Sequence, residues 1–155
     1  MKIFFILVFF IINFQSYSLA DDFNFKKIVN LNNPWGSSFI NNEEIIITEK
    51  GGKIKLININ SKEIIEIKHN LNFLEYGQGG LLDIIYKENK LWISYTEDRG
   101  NWKTSTSIAK ANFDKKELIF QNIFQANPPI DSGYHFGSRL AIKDDYLFAT
   151  AGERG

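Results

Sequence analysis

Two histidines and no cysteine leave this chain of 155 residues few side chains able to move a proton near neutral pH. His135 stands in Gly133-Tyr134-His135-Phe136-Gly137, just ahead of an apolar run. A neutral imidazole can take the proton of a hydroxyl group, and its ordinary pKa of about 6.5 suits the task. On the residues alone, a structural role beside the glycines is the simpler reading. Gln78 stands in Gly77-Gln78-Gly79-Gly80. Its carboxamide both donates and accepts, as a sugar hydroxyl requires, and the glycines permit close approach of a ligand to the backbone. An exposed turn glutamine fits those residues equally well. The glycine run is not a dinucleotide fingerprint, because a β run follows it and not a helix. Arg139 falls on an inner strand and calls for a charged partner, Asp83 or Glu49, or for a bound anion. His69 lies in a polar loop without an assigned role. Glu97-Asp98-Arg99 reads as a solvated loop, with a sugar-facing role open, and Trp35, Trp92 and Trp102 read as packing residues. No cluster has the make-up of a self-contained metal site.

The elements that must position these groups are short strands. The chain is 44% hydrophobic and 15% aromatic, enough to form a core. After Pro34 to Ile40 comes a polar turn, then the β-branched run Ile45-Ile46-Ile47-Thr48, the turn Gly51-Gly52, the near-alternating Lys53 to Ile59, and Glu63 to Lys68. A looser stretch leads to a second set: Leu81 to Tyr86, Leu91 to Tyr95, Thr106 to Phe113 and Glu117 to Phe124. Ser138 to Ile142 and Tyr146 to Ala151 begin a third. No amphipathic helix of useful length is present. Each unit opens with a glycine before an apolar strand, at Gly36, Gly80 and Gly137. Its second strand ends near a threonine, at Thr48, Thr96 and Thr150. Four strands per unit of about 40–50 residues is the pattern of a β-propeller blade. The chain holds about two and a half such blades. A small β-sandwich is the competing arrangement, but it leaves the repeated order unexplained.

Residues 1–20 read as a secretory signal. Met1-Lys2 is a positive start, Ile3 to Ile12 an apolar run of ten, and Ser18-Leu19-Ala20 a small-residue cleavage site. A membrane span needs about 20 apolar residues, so the run is short for an anchor. Cleavage there implies a secreted or periplasmic product with no stable membrane insertion, and residues 21–155 as part of one propeller domain. Charge is balanced, with 18 Lys+Arg against 18 Asp+Glu, which gives no support to a nucleic-acid partner. The lack of cysteine excludes disulfides, thiol catalysis and cysteine-ligated metals.

Four segments in this order resemble one family. They are Asn33-Pro34-Trp35-Gly36 with Ile47-Thr48-Glu49-Lys50-Gly51-Gly52, then Gly77-Gln78-Gly79-Gly80-Leu81-Leu82-Asp83, then His135-Phe136-Gly137-Ser138-Arg139-Leu140, then Gly152-Glu153-Arg154-Gly155. Together they are similar to the N-terminal part of the glucose/sorbosone dehydrogenases, which include soluble aldose dehydrogenases using pyrroloquinoline quinone (PQQ). The resemblance implies a six-bladed all-β propeller. It implies oxidation of the anomeric hydroxyl of an aldose to a lactone, with hydride passing to PQQ and onward to an external acceptor. It maps the catalytic base onto His135 and a sugar contact onto Gln78. Familiar members carry Asp before the histidine where this chain has Tyr134, a difference that bears on sugar preference. The quinone-gripping residues and the ligands of an associated calcium are expected in blades outside this chain, so no residue here is assigned to either. The chain by itself is therefore expected to be inactive. A non-catalytic sugar-binding propeller and a calcium-dependent lactonase-type hydrolase are the alternatives.

Overall fold

The computed structural model describes residues 24–154, so the signal sequence expected over 1–20 lies outside the described residues. Among the described residues all regular structure is strand. The first blade runs β1 (Pro34–Phe39), β2 (Glu44–Glu49), β3 (Lys53–Asn58) and β4 (Ile64–His69), each antiparallel to the next. The second runs β5 (Leu81–Lys87), β6 (Lys90–Asp98) and β7 (Thr104–Asn112), closed by β9 (Gln121–Gln125). A short β8 (Glu117–Leu118) precedes β9, and the hairpin β10 (Leu140–Lys143) and β11 (Tyr146–Ala149) opens the third unit. The all-β blade order expected from the sequence is therefore present.

The core forms where the first two sheets face each other. Ile46, Ile54, Leu56 and Ile67 of one meet Leu81, Ile84, Leu91 and Ile93 of the other. Full burial of each such side chain is worth about 1.5–3 kcal/mol. This explains why β2 and β5 carry nearly continuous apolar runs.

Two expectations are corrected. Glu117 to Phe124 is not one strand. Asp114 accepts the amides of Lys116 and Glu117, and Asn70 binds both the amide and the carbonyl of Phe120. These bonds take the run out of the second sheet, so Glu117–Leu118 pairs parallel with β4 of the first blade and only Gln121 onward joins β7. Glu97 is not in a solvated loop. It belongs to β6 and is only 8% exposed, with its carboxylate accepting from Ser107 Oγ, Asn122 Nδ2 and Gln125 Nε2.

Hydrogen bonds give the repeat a sharper definition than the glycines do. In the first blade Thr48 Oγ1 accepts from Gly36 N (2.9 Å) and donates to Leu82 O in the next blade (2.5 Å). In the second, Ser94 Oγ accepts from Asp83 N (3.0 Å) and donates to Ser138 O in the third (2.5 Å). In the third, Thr150 Oγ1 accepts from Arg139 N (3.0 Å). The equivalent hydroxyls are thus Thr48, Ser94 and Thr150. They face Gly36, Asp83 and Arg139 beside a bulge, which interrupts β1 and β5 at the same register. Thr96 does separate work, accepting from Gly80 N (3.0 Å).

Candidate active site

The loops that lead into β5 and β10 meet at one end of the sheets. Gly77, with φ of 58°, lies so close to Gly133 that a Cβ would sit 2.4 Å from its carbonyl oxygen, so only glycine fits. This approach lets Gln78 N donate to Gly133 O (2.7 Å) while Gln78 Oε1 accepts from His135 N (3.0 Å). Lys50 steadies the first loop by donating to Gly77 O (2.8 Å). The two residues singled out by sequence are therefore brought together directly.

His135 adopts φ of 51°, a left-handed conformation that a side chain keeps only where its surroundings fix it. The chain after β11 supplies part of that constraint. A Cβ on Gly152 would fall 2.0 Å from His135 O, so the segment can run alongside only with glycine there. Its next residue, Glu153, contacts His135 Nδ1 through a carboxylate oxygen. A carboxylate accepts, so Nδ1 is the donor in this contact, and in a neutral imidazole that leaves the lone pair on Nε2. The imidazole is half exposed, and among the described residues no group hydrogen-bonds Nε2. An imidazole held in this way can act as a base through its other nitrogen. His69 differs. Its Nε2 meets Gly52 O and its Nδ1 accepts from Leu71 N, so the backbone occupies both nitrogens and the residue is structural.

Arg139 pairs with Asp83 (3.3 Å), as expected, yet its side chain is 74% exposed. Asp83 is buried and also accepts from Leu140 N (2.8 Å), which ties the second blade to the third. Glu49 is engaged with Lys55 (2.8 Å) and Asn32 N (2.6 Å). Burial raises its pKa, but these donors outweigh it and leave the carboxyl below its ordinary value. Trp35 and Trp102 are largely exposed, and Trp102 lies against Tyr76 with ring centroids 5.9 Å apart. Glu153 and Arg154 received no role from sequence. The only signal was their place in the Gly152-Glu153-Arg154-Gly155 segment, and nothing local shows that it folds back onto His135.

Successive antiparallel blades, with the loops that carry Gln78 and His135 meeting at one end of the sheets, define part of a β-propeller. The glucose/sorbosone dehydrogenase family model matches residues 31–155, and the chain belongs to that family. It is 28% identical over 133 residues to the aldose sugar dehydrogenase YliI of Escherichia coli K12, covering 79% of this chain and 36% of that protein. It is 30% identical over 140 residues to the uncharacterized protein slr1608 of Synechocystis, covering 81% of this chain and 34% of that one. The chain therefore spans about a third of the length of these relatives. Among solved structures, the apo form of the soluble aldose sugar dehydrogenase of E. coli superposes with a TM-score of 0.73 at 27% identity, over 80% of this chain and 39% of that one. The PQQ-bound aldose sugar dehydrogenase of Streptomyces coelicolor shares the fold, with a TM-score of 0.70 at 21% identity over 81% and 40%.

Proposed function

We propose that the whole protein oxidises the anomeric hydroxyl of an aldose to a lactone, with His135 as general base and Gln78 as a sugar contact. The observation that carries this reading is the contact between His135 Nδ1 and the Glu153 carboxylate. Glu153 on Nδ1 leaves Nε2 to receive the hydroxyl proton, and the imidazolium so formed stays beside a carboxylate that stabilises it. Gln78 Oε1 is held by the His135 amide, so its NH₂ remains to donate to a sugar oxygen. As the proton leaves, the carbon–oxygen bond becomes a carbonyl and the anomeric hydrogen departs as hydride. PQQ, when bound, supplies the acceptor for that hydride, and an external acceptor reoxidises it.

The described residues do not compose a site for the quinone or for calcium. Quinone carboxylates call for several cations, and the donor set here offers one exposed guanidinium, on Arg139. Calcium takes about 6–8 oxygen ligands, and no group of three acidic or histidine residues is gathered among the described residues. The proposal places those ligands elsewhere in the whole protein, so the polypeptide of 155 residues alone has no turnover. The signal read over 1–20 supports a secreted or periplasmic enzyme. No helix among the described residues is long and apolar enough to cross a membrane.

The test is aldose-dependent dye reduction by the whole protein supplied with PQQ and calcium. His135→Ala should lower the rate by about 10²–10⁴-fold. An unchanged rate in that variant refutes the assignment. Lactone hydrolysis without quinone would point to the hydrolase, and sugar binding without turnover to a non-catalytic propeller.

A further inference from the structure

Arg154 follows Glu153, and its guanidinium joins two elements, the loop from Ser132 to Phe136 and the start of β7. Nε donates to Tyr134 O (3.0 Å), and Nη2 to Ser132 O (2.6 Å) and Thr104 Oγ1 (2.7 Å). Its central carbon lies 3.7 Å from the centroid of the Phe136 ring. The clasp is returned, since Ser132 Oγ donates to Arg154 O (2.5 Å). Thr104 is fully buried and begins β7, so it anchors the guanidinium to a rigid strand. Burial lowers the pKa of the guanidinium from its ordinary value, yet arginine stays charged at any working pH.

We infer that Arg154 is a positioning residue for the base, locking the loop from Ser132 to Phe136 so that His135 keeps its left-handed backbone and its Glu153 contact. The inference rests on the base role proposed for His135. The two neighbours of His135 in sequence are the groups held, one by its carbonyl and one by its ring. A left-handed non-glycine residue stores about 1–3 kcal/mol of strain and needs such restraint. Only a planar fork meets acceptors on two sides while stacking on a ring. A lysine ammonium, a compact point charge, does not.

The whole protein with quinone and calcium is compared with Arg154→Ala, Arg154→Lys and Thr104→Val. Arg154→Ala is expected to lower kcat by about 10–100-fold with little change in sugar KM, the cost of a base displaced by on the order of 1 Å. Added guanidinium should restore part of the rate to Arg154→Ala, whereas Arg154→Lys should stay impaired. Thr104→Val removes the hydroxyl that accepts from Arg154 (2.7 Å) and donates to Ser132 O (3.1 Å) but keeps the guanidinium, so it should lose less in the same direction. Hydrogen exchange on the quinone-free protein supplies a readout independent of turnover. Protection should fall over residues 132–137 of Arg154→Ala and persist in β5 to β7. Wild-type kcat in Arg154→Ala overturns the inference. So does protection lost throughout the blades, which would make Arg154 a residue of the fold at large. If Arg154→Ala does not fold, unchanged kcat and exchange in Thr104→Val overturn it. A parent protein without aldose oxidation refutes the base reading instead, and the exchange result still reports on the clasp.

Discussion

The hydroxyl that joins the first blade to the second can be removed without changing shape, by Thr48→Val. Thr48 is fully buried, and its Oγ1 serves Gly36 N at 2.9 Å and Leu82 O at 2.5 Å. Valine fills the same volume and leaves both backbone groups in an apolar seam. An orphaned buried donor or acceptor costs about 1–3 kcal/mol. Two of them set the expected loss at about 2–6 kcal/mol, toward the lower half where the strands relax to readmit water. Thr48→Ser keeps the hydroxyl and deletes one methyl, a loss of about 1 kcal/mol. The comparison is made on the whole protein by urea unfolding, where the two variants should differ in midpoint at similar slope. The same logic applies to Ser94→Ala, which orphans Asp83 N and Ser138 O. Ser138 is close in sequence to His135, so that variant should lose turnover as well as stability. The reasoning fails if Thr48→Val is no less stable than Thr48→Ser, since the hydroxyl would then do nothing that water could not.

Three further outcomes follow from the geometry. Gly152→Ala forces a Cβ to 2.0 Å from His135 O, so the segment bearing Glu153 must shift, and kcat should fall about a hundredfold in steady-state assays. Gln78→Leu removes both the acceptor of the His135 amide and the free NH₂, and should lower kcat and weaken sugar binding together by about tenfold each, read from kcat and KM. Tyr95 is buried with its hydroxyl donating to Asn122 Oδ1, and burial beside Glu97 pushes its pKa up to about 12 from 10.0. The folded state thus holds this proton more tightly than the unfolded chain. Its contribution is complete below pH 10 and is lost as pH rises toward 12, on the order of 2–3 kcal/mol. Tyr95→Phe should flatten that part of the stability–pH curve, which denaturation at stepped pH will reveal.

Strand order was legible because it rests on local chemistry. The β-branched run Ile45-Ile46-Ile47, the Gly51-Gly52 turn and the alternation after it each specify their own geometry within a few residues. The glycines at 36, 80 and 137 gave a correct count of units through residues that are not equivalent in space. The equivalent positions are the hydroxyls Thr48, Ser94 and Thr150, and Ser94 was hidden because serine and threonine do the same work under different names. The division of Glu117 to Phe124 depends on Asn70, fifty positions from Phe120 in the chain, and no local pattern carries it. Glu97 looked like loop because charge usually marks solvent. Here Ser107, Asn122 and Gln125 from neighbouring strands satisfy the carboxylate within the sheet.

The candidate site shows why a lone histidine was ambiguous in sequence and is not so in space. Neither His69 in its polar stretch nor His135 among glycines and aromatics declares its partners in the linear chain, yet backbone groups meet both nitrogens of one and a carboxylate meets a single nitrogen of the other. That difference is made by three separate stretches. The loop before β5 supplies Gln78, the loop before β10 supplies His135, and the chain after β11 supplies Glu153 and Arg154. Each stretch follows or precedes a strand whose position is set by inter-blade bonds from Thr48, Ser94 and Asp83. The His135–Glu153 contact on which the proposed base role rests therefore depends on how the blades are joined. A change in the seam between blades should alter turnover even where no substrate-facing residue is touched.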